Sequence, residues 1–269
     1  TGAEYSTDLA IDVNNDFYVV GYTMSNDFPV SAGAFQTTYS GGSDGFVAKI
    51  ISSGTTLAYG TYLGGGLQSD RIWGVDVDAD GNAYVAGQTE NTAFPTTPGA
   101  FDVSFNNSTD AFLTKFNSTG TGLVYSTFLG GTGGDRAFAV KVASNGEALI
   151  GGETGSANLN FPLHNSLQGN LGTMFLTRFN ASGSDLVFSS LLGTGGVKDI
   201  ALDAQGNAFL TGEAHYVTTT QNAPQTTRGN PSSSSIPDGF VMKIGATDET
   251  AAVYSISGTV SDTGTPGGQ

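Results

Sequence analysis

The chain has no cysteine, two histidines, one tryptophan and only 9 Lys+Arg in 269 residues. Without thiols there are no disulfides, no thiolate metal sites and no cysteine nucleophile, so stability must come from packing and sheet hydrogen bonds. Small secreted domains depend on disulfides, but a chain this long buries enough surface to do without them, so their absence does not argue against export. The few basic residues stand against 24 Asp+Glu, a formal net charge of -15. That balance repels phosphate backbones and anionic lipid surfaces. Nucleic acid is therefore not an expected partner, and the acidic surface is read as solubility in a salty or calcium-bearing medium. No apolar run approaches the roughly 18 residues of a membrane span, and no basic-then-apolar leader opens the chain at Thr1. Membrane insertion is not expected of this segment, which is read as a piece of a longer protein.

Charge of either sign is scarce, at 12% of residues, and in its place stand 40 glycines, 17 phenylalanines and 10 tyrosines. That composition suits short strands joined by tight turns and disfavours long amphipathic helices. An all-β unit of this length can be one domain, so organisation has to come from pattern.

The pattern is a repeat. Phe17-Tyr18-Val19-Val20-Gly21-Tyr22-Thr23 returns as Ala83 to Thr89, Ala148 to Thr154 and Ala208 to Ala214. A second block, Asp44-Gly45-Phe46-Val47-Ala48-Lys49-Ile50, returns at Asp110 to Phe116, Thr173 to Phe179 and Asp238 to Ile244. A third, Tyr59 to Gly65, returns at Tyr125 to Gly131 and, weakened, at Phe188 to Thr194, while the fourth copy keeps only Tyr254-Ser255. Each copy holds about four strand-length runs of period two between Gly, Asn, Asp and Ser clusters. In the first run Leu9, Ile11 and Val13 share one face and Asp8, Ala10 and Asp12 the other, a pattern kept by Val75 and Val77 and by Val140 and Val142. One face packs and the other is small or polar, as an innermost strand at a crowded axis requires. Gly81, Gly146 and Gly206 follow that strand where a tight hairpin needs positive φ. Phe28-Pro29, Phe94-Pro95, Phe161-Pro162 and a degraded Ala223-Pro224 mark a longer connection outside the central strands.

These blocks resemble the SBBP family of bacterial β-propeller repeats. The resemblance rests on Gly81-Asn82-Ala83-Tyr84-Val85-Ala86-Gly87-Gln88-Thr89, Phe94-Pro95-Thr96-Thr97, Asp110-Ala111-Phe112-Leu113-Thr114-Lys115 and Tyr125-Ser126-Thr127-Phe128-Leu129-Gly130-Gly131. It implies an all-β propeller and an exported or cell-surface setting in bacteria. Four blades of four antiparallel strands are expected, at about 4–69, 70–134, 135–198 and 199–255. They form part of a larger ring or, alternatively, a closed four-bladed one. Residues 256–269 read as a linker or the first strand of a following β-sandwich, because Ser255 to Pro266 is similar to the start of carboxypeptidase-regulatory-like or Ig-like domains.

Chemistry is harder to place. Asp76, Asp78 and Asp80 have the alternate spacing of a calcium loop but no closing Glu, and the third copy carries Ala143 where Asp78 stands. Calcium is therefore not required for folding, and an Asx-capped hairpin is the competing reading. Each copy opens with an acid, Glu4, Asp70, Asp135 and Asp199, expected to staple blades together. Lys49, Lys115, Arg178 and Lys243 recur at one position, which argues for structure over catalysis. His164 and His215 fall in loop-like stretches, with no base-and-hydroxyl arrangement around them. Trp73 precedes an inner strand and is assigned to core or axial packing ahead of sugar stacking. Tyr39, Phe105 and Tyr216 are the loop aromatics offered as binding candidates. Asn106-Asn107-Ser108-Thr109, Asn117-Ser118-Thr119 and Asn180-Ala181-Ser182 are read as polar turns.

No catalytic residue is assigned. The expected role is a scaffold or adhesive interaction module, with a carbohydrate-binding propeller and then a loop-borne hydrolase as alternatives. Other surface proteins, extracellular polysaccharide and further copies of the chain are the expected partners. Far-UV circular dichroism should show a β spectrum with essentially no helical minimum; a substantial helical signal would remove the basis of this reading.

Overall fold

The computed structural model describes residues 2–106, 108–156, 160–167, 172–216, 237–245 and 254–257. Ala223-Pro224 and residues 258–269 lie outside them. The first copy forms β1 (Glu4–Ile11), β2 (Phe17–Thr23), β3 (Asp44–Ile50) and β4 (Leu57–Leu63); the second forms β5 (Asp70–Val77), β6 (Ala83–Thr89), β7 (Asp110–Phe116) and β8 (Leu123–Leu129). Then follow β9 (Asp135–Val142), β10 (Ala148–Thr154), β11 (Met174–Phe179), β12 (Leu186–Leu202), β13 (Ala208–Tyr216), β14 (Asp238–Ile244) and β15 (Tyr254–Ser257). Every pairing is antiparallel and joins strands consecutive in the chain, and no helix occurs among the described residues. The chain is an all-β protein of propeller type, built from four-stranded blades.

The third and fourth blades share a strand. β12 runs for 17 residues, pairing with β11 through Leu186 to Gly193 and with β13 through Thr194 to Leu202. In the first two copies 64–69 and 130–134 separate outermost strand from next innermost strand, whereas the third copy has lost that connector. The loss shifts one expectation. By strand register the position of Asp70 and Asp135 is held in the fourth blade by Gly195, not by Asp199, which lies one residue past the strand's bulge. At the far end β15 carries the fourth sheet to Ser257, past the boundary expected at residue 255.

In the two middle blades the strands next to the innermost ones are covered on both faces, so β6 is buried along its whole length and β10 nearly so. The apolar faces of successive blades meet in seams: Tyr18, Val47 and Tyr59 of the first blade pack with Ile72, Val75 and Phe116 of the second. The outer faces of the end blades have no such cover. Leu9 is 52% exposed where its counterparts Val75, Val140 and Ile200 are 1%, 3% and 1%. Val241 is 42% exposed where Val47, Leu113 and Leu176 are 0%, 0% and 1%.

Backbone hydrogen bonds cross each seam at the periphery. Phe35 N–H donates to the Gly120 carbonyl at 2.8 Å, and the equivalent Phe101 N–H to Gly183 at 2.9 Å. Gly120 and Gly183, at φ 68° and 67°, lie flat against the Tyr59 and Tyr125 rings of the preceding blade. Gly54 makes the same turn at φ 73° with open space around it. Gly54→Ala should therefore cost only the left-handed backbone penalty, about 1–2 kcal/mol. Gly120→Ala should cost about 1–3 kcal/mol more, because its Cβ would strike the ring. Denaturant unfolding of the two variants tests this, and equal losses would show that the ring contact contributes nothing.

Candidate binding groove on the inner strands

Each innermost strand breaks its ladder with a bulge at the same position, at Thr7, Trp73, Phe138 and Lys198. Opposite stand Gly21, Gly87, Gly152 and Gly212, the glycines that open the repeat. A Cβ on any of them would fall onto the carbonyl oxygen of Tyr5, Arg71, Arg136 or Gly196, so the bulge requires glycine in all four blades. A bulge turns its extra residue out of the ladder and re-aims it. Here the frame is invariant and the residue presented is not: hydroxyl, indole, phenyl and ammonium.

These four side chains line one groove of about 530 Å³, together with Asp8, Leu9, Val140, Lys141, Asp199 and Ile200 among others. The aromatic groups run in a chain across the blades. Tyr5 stacks on Tyr22 at 4.9 Å, the Tyr22 ring meets Trp73 at 5.8 Å, and Trp73 meets Phe138 at 6.3 Å. Lys198 Nζ sits 3.9 Å from the Phe138 centroid. Trp73 donates its indole N–H to Gln88 Oε1 at 3.1 Å. Ion pairs flank the row, Arg136–Glu153 at 2.8 Å and Lys198–Glu213 at 3.0 Å. The inner strands are tied below it: Thr7 donates to the Ile72 carbonyl at 2.9 Å, and Asp8 accepts from Val75 N–H at 2.9 Å. The groove thus offers aromatic faces beside charges of both signs.

The other sequence candidates are engaged elsewhere. Asp76 reaches into the third blade, accepting from Val142 N–H at 2.8 Å and pairing with Lys141 at 3.6 Å. Asp78 caps its own hairpin, accepting from the N–H groups of Asp80 and Asn82, from Asn82 Nδ2 and from Tyr84, and pairing with Lys115 at 3.0 Å. Asp80 stands exposed at the turn tip. Among the described residues no three His, Asp or Glu are grouped to hold a metal ion. Burial opposes ionisation of Asp78, but the Asn82 donors and the Lys115 ammonium outweigh it and hold the carboxyl below its ordinary value.

The recurring basic position pairs with the hairpin acid in three of the four blades. Lys49 pairs with Asp12 at 3.0 Å and Lys243 with Asp203 at 3.7 Å, while Arg178, facing Ala143, pairs instead with Glu147 at 3.7 Å. Tyr39 and Phe105 are not isolated loop aromatics: they occupy equivalent places and pack edgewise or tilted on the equivalent Tyr62 and Phe128, at 6.0 Å each. Tyr216 ends β13 opposite Thr194 and is not in a loop. His164 bridges Ser189 through its backbone, His215 lies in β13, and both side chains are exposed. The bulge row was missed from sequence. Its signal was there three residues after Glu4, Asp70, Asp135 and Gly195, as a column of four unlike side chains.

Four-stranded antiparallel blades around shared inner strands define the propeller class. The repeat itself is identified at residues 58–95, which match the SBBP family model, described as a Beta-propeller repeat. No curated protein gives a significant match to the chain. Among solved structures, similarity is found to an ACO/RPE65 chimera at 9% identity and TM-score 0.43, over 95% of this chain and 50% of that one. The chain thus spans half the length of the chimera. It is also similar to the WD40 beta propeller domain of Doa1 (10% identity, TM-score 0.29, covering 78% and 76%) and to BamB from Moraxella catarrhalis (9%, 0.30, 93% and 76%).

Asp78→Ala should lower stability by about 1.5–3 kcal/mol, the range for charge-assisted hydrogen bonds, whereas Asp80→Ala should stay within about 0.5 kcal/mol of wild type. Neither calcium nor a chelator should move the melting temperature of the full chain. A chelator-induced loss of the cooperative transition would overturn this assignment.

Proposed function

We propose that the chain is an extracellular, non-enzymatic interaction module that seats its partner on the inner-strand groove. One observation carries the reading: the polar signatures that recur from blade to blade serve internal bonds, whereas the bulge, invariant in backbone, presents four different side chains to one groove. Function on repeat scaffolds gathers where a rigid frame presents variable side chains. The extracellular setting is supported by the resemblance to exported bacterial repeats, together with the acidic composition. The partner is a surface protein or an extracellular polysaccharide. Trp73 favours the second, since a half-buried indole beside Phe138 offers an apolar face to a sugar ring. The bare end faces around Leu9 and Val241 support association with blades of the same kind, and such apolar faces drive assembly. Light scattering on the full chain tests that part: a stable compact monomer with a cooperative melt would favour a closed four-bladed ring.

Binding to the groove is tested with arrays of bacterial polysaccharides and surface proteins. The double variant Trp73→Ala, Phe138→Ala should keep the wild-type spectrum and lose at least about 2 kcal/mol of affinity, roughly thirtyfold in Kd, for whichever array member wild type binds. Unchanged binding by a folded double variant would place the partner elsewhere.

A further inference from the structure

Two seams between blades bury a pair of carboxyl groups each. Asp44 and Asp70 meet at the first seam, Asp110 and Asp135 at the second, and all four are 0% exposed. The Cβ that Gly64 lacks would lie 2.7 Å from Asp44 Oδ1 and 2.9 Å from Asp70 Oδ2, so both oxygens border one small space. At the second seam the missing Cβ of Gly130 would lie 3.0 Å from Asp110 Oδ1 and 2.5 Å from Asp135 Oδ2.

The donors around each pair are unequal. Asp70 is saturated: Oδ1 accepts from the Thr89 hydroxyl, and Oδ2 accepts from Gly65 N–H at 2.9 Å and Asn91 Nδ2 at 2.8 Å. Asp135 repeats the arrangement with the Thr154 hydroxyl, Gly131 N–H and the Ser156 hydroxyl. Burial raises both carboxyls above their ordinary value, and the three donors on each, a full set that Asp44 and Asp110 lack, oppose that rise and favour the anion. Asp44 Oδ2 accepts from Ser40 N–H and Gln36 Nε2, and Asp110 Oδ2 accepts from Asn106 N–H. Among the described residues, Asp44 Oδ1 and Asp110 Oδ1, though buried, have no hydrogen-bond partner. A buried oxygen without a donor, beside a fixed carboxylate, lacks only a proton.

We propose that each of these seams binds one proton, carried by Asp44 Oδ1 and Asp110 Oδ1 toward the Asp70 and Asp135 carboxylates, and that the seams loosen when it leaves. The saturated oxygens disfavour a metal ion, which would have to displace N–H donors from Asp70 and Asp135. The third seam supports the pair as a unit. There Thr173 and Gly195 replace both acids, and Ala214 and Tyr216 replace the Thr and Asn or Ser partners. Thr173 closes that seam by exchanging two hydrogen bonds with the Gly195 backbone, at 3.0 and 3.1 Å.

The titratable groups facing the first pair are Tyr39, Tyr62 and Glu90, and Asp102 faces the second. None brings positive charge. Burial first, then the neighbouring carboxylate against the Ser40 N–H, push Asp44 up to about 6; burial and Asp135 push Asp110 up to about 7. An unfolded chain has released these protons well below that range, so the folded state binds more of them. Stability from the pairs is therefore full below about pH 4, falls from there, and levels off as pH passes the folded values of about 6 and 7.

The experiment compares the full chain with Asp44→Asn, Asp110→Asn and the double variant in thermal melts at pH 5 and pH 8. The amide is the neutral isostere, and Asp76, which burial also raises, is present in every protein and cancels. The margin by which the double variant melts above wild type should widen by several degrees between pH 5 and pH 8. Equal destabilisation at both pH values would overturn the proposal. So would calcium raising the wild-type melt at pH 8 without affecting the double variant, which would make the pairs a metal site. Infrared spectra of wild type alone give a second reading that does not depend on the variants folding. The protonated-carboxyl carbonyl band should be present at pH 5 and gone by pH 8, and its absence at pH 5 would sink the idea.

Discussion

The structure depends on how closely one blade approaches the next. A four-stranded sheet this short has two apolar faces and too little of its own to cover them, so each face must be met by a neighbour. The approach is set by backbone touching backbone or ring, as where Gly120 lies against Tyr59 and where Phe35 reaches the Gly120 carbonyl. Once that spacing is fixed, the inner strands converge and their bulges line up. Tyr18 can then reach across to the Gly81 carbonyl at 2.9 Å. The buried acids at the seams are a consequence of the same closeness.

Repetition separates residues that hold the fold from residues that are displayed. The hairpin acid, the basic residue above it and the tyrosine beneath are versions of one tie. Where the third blade lacks the acid, Arg178 moves to Glu147 and also donates to the Gly206 carbonyl of the next blade at 3.2 Å. Compensation of this kind is what a structural role predicts. The bulge column shows none: Thr7, Trp73, Phe138 and Lys198 share position and nothing else. A recognition surface tolerates such divergence even where the side chains touch across blades, as Trp73 and Phe138 do.

Most of the fold was legible in the sequence because blades obey local rules. Period-two alternation marks strands, and Gly81, Gly146 and Gly206, all at positive φ, mark hairpins that no other residue makes as easily. Asn15 takes that place in the first copy at φ 62°. Register was less legible. Asp199 looked like a blade-opening acid because it sits at the right distance by eye, but the lost connector in the third copy moved the frame, and only the bulge opposite Gly212 restores it. The groove was hidden for a related reason. A bulge is one residue of excess in a ladder, visible only when two strands are paired, so a single strand read alone gives no sign of it. Tyr39 and Phe105 misled in the opposite direction, since two loops of different sequence conceal one packing position.

β12 has a mechanical consequence. Because one unbroken strand is both the last of the third blade and the first of the fourth, these two sheets have no joint between them and must twist together. The first and second blades are linked to their successors by loops at 64–69 and 130–134, and are held there mainly by seam contacts. Under strain the chain would behave as three bodies of unequal size, two single sheets and one double one. The groove, which draws a wall from every blade, would change width at the two jointed seams and hold its shape at the third.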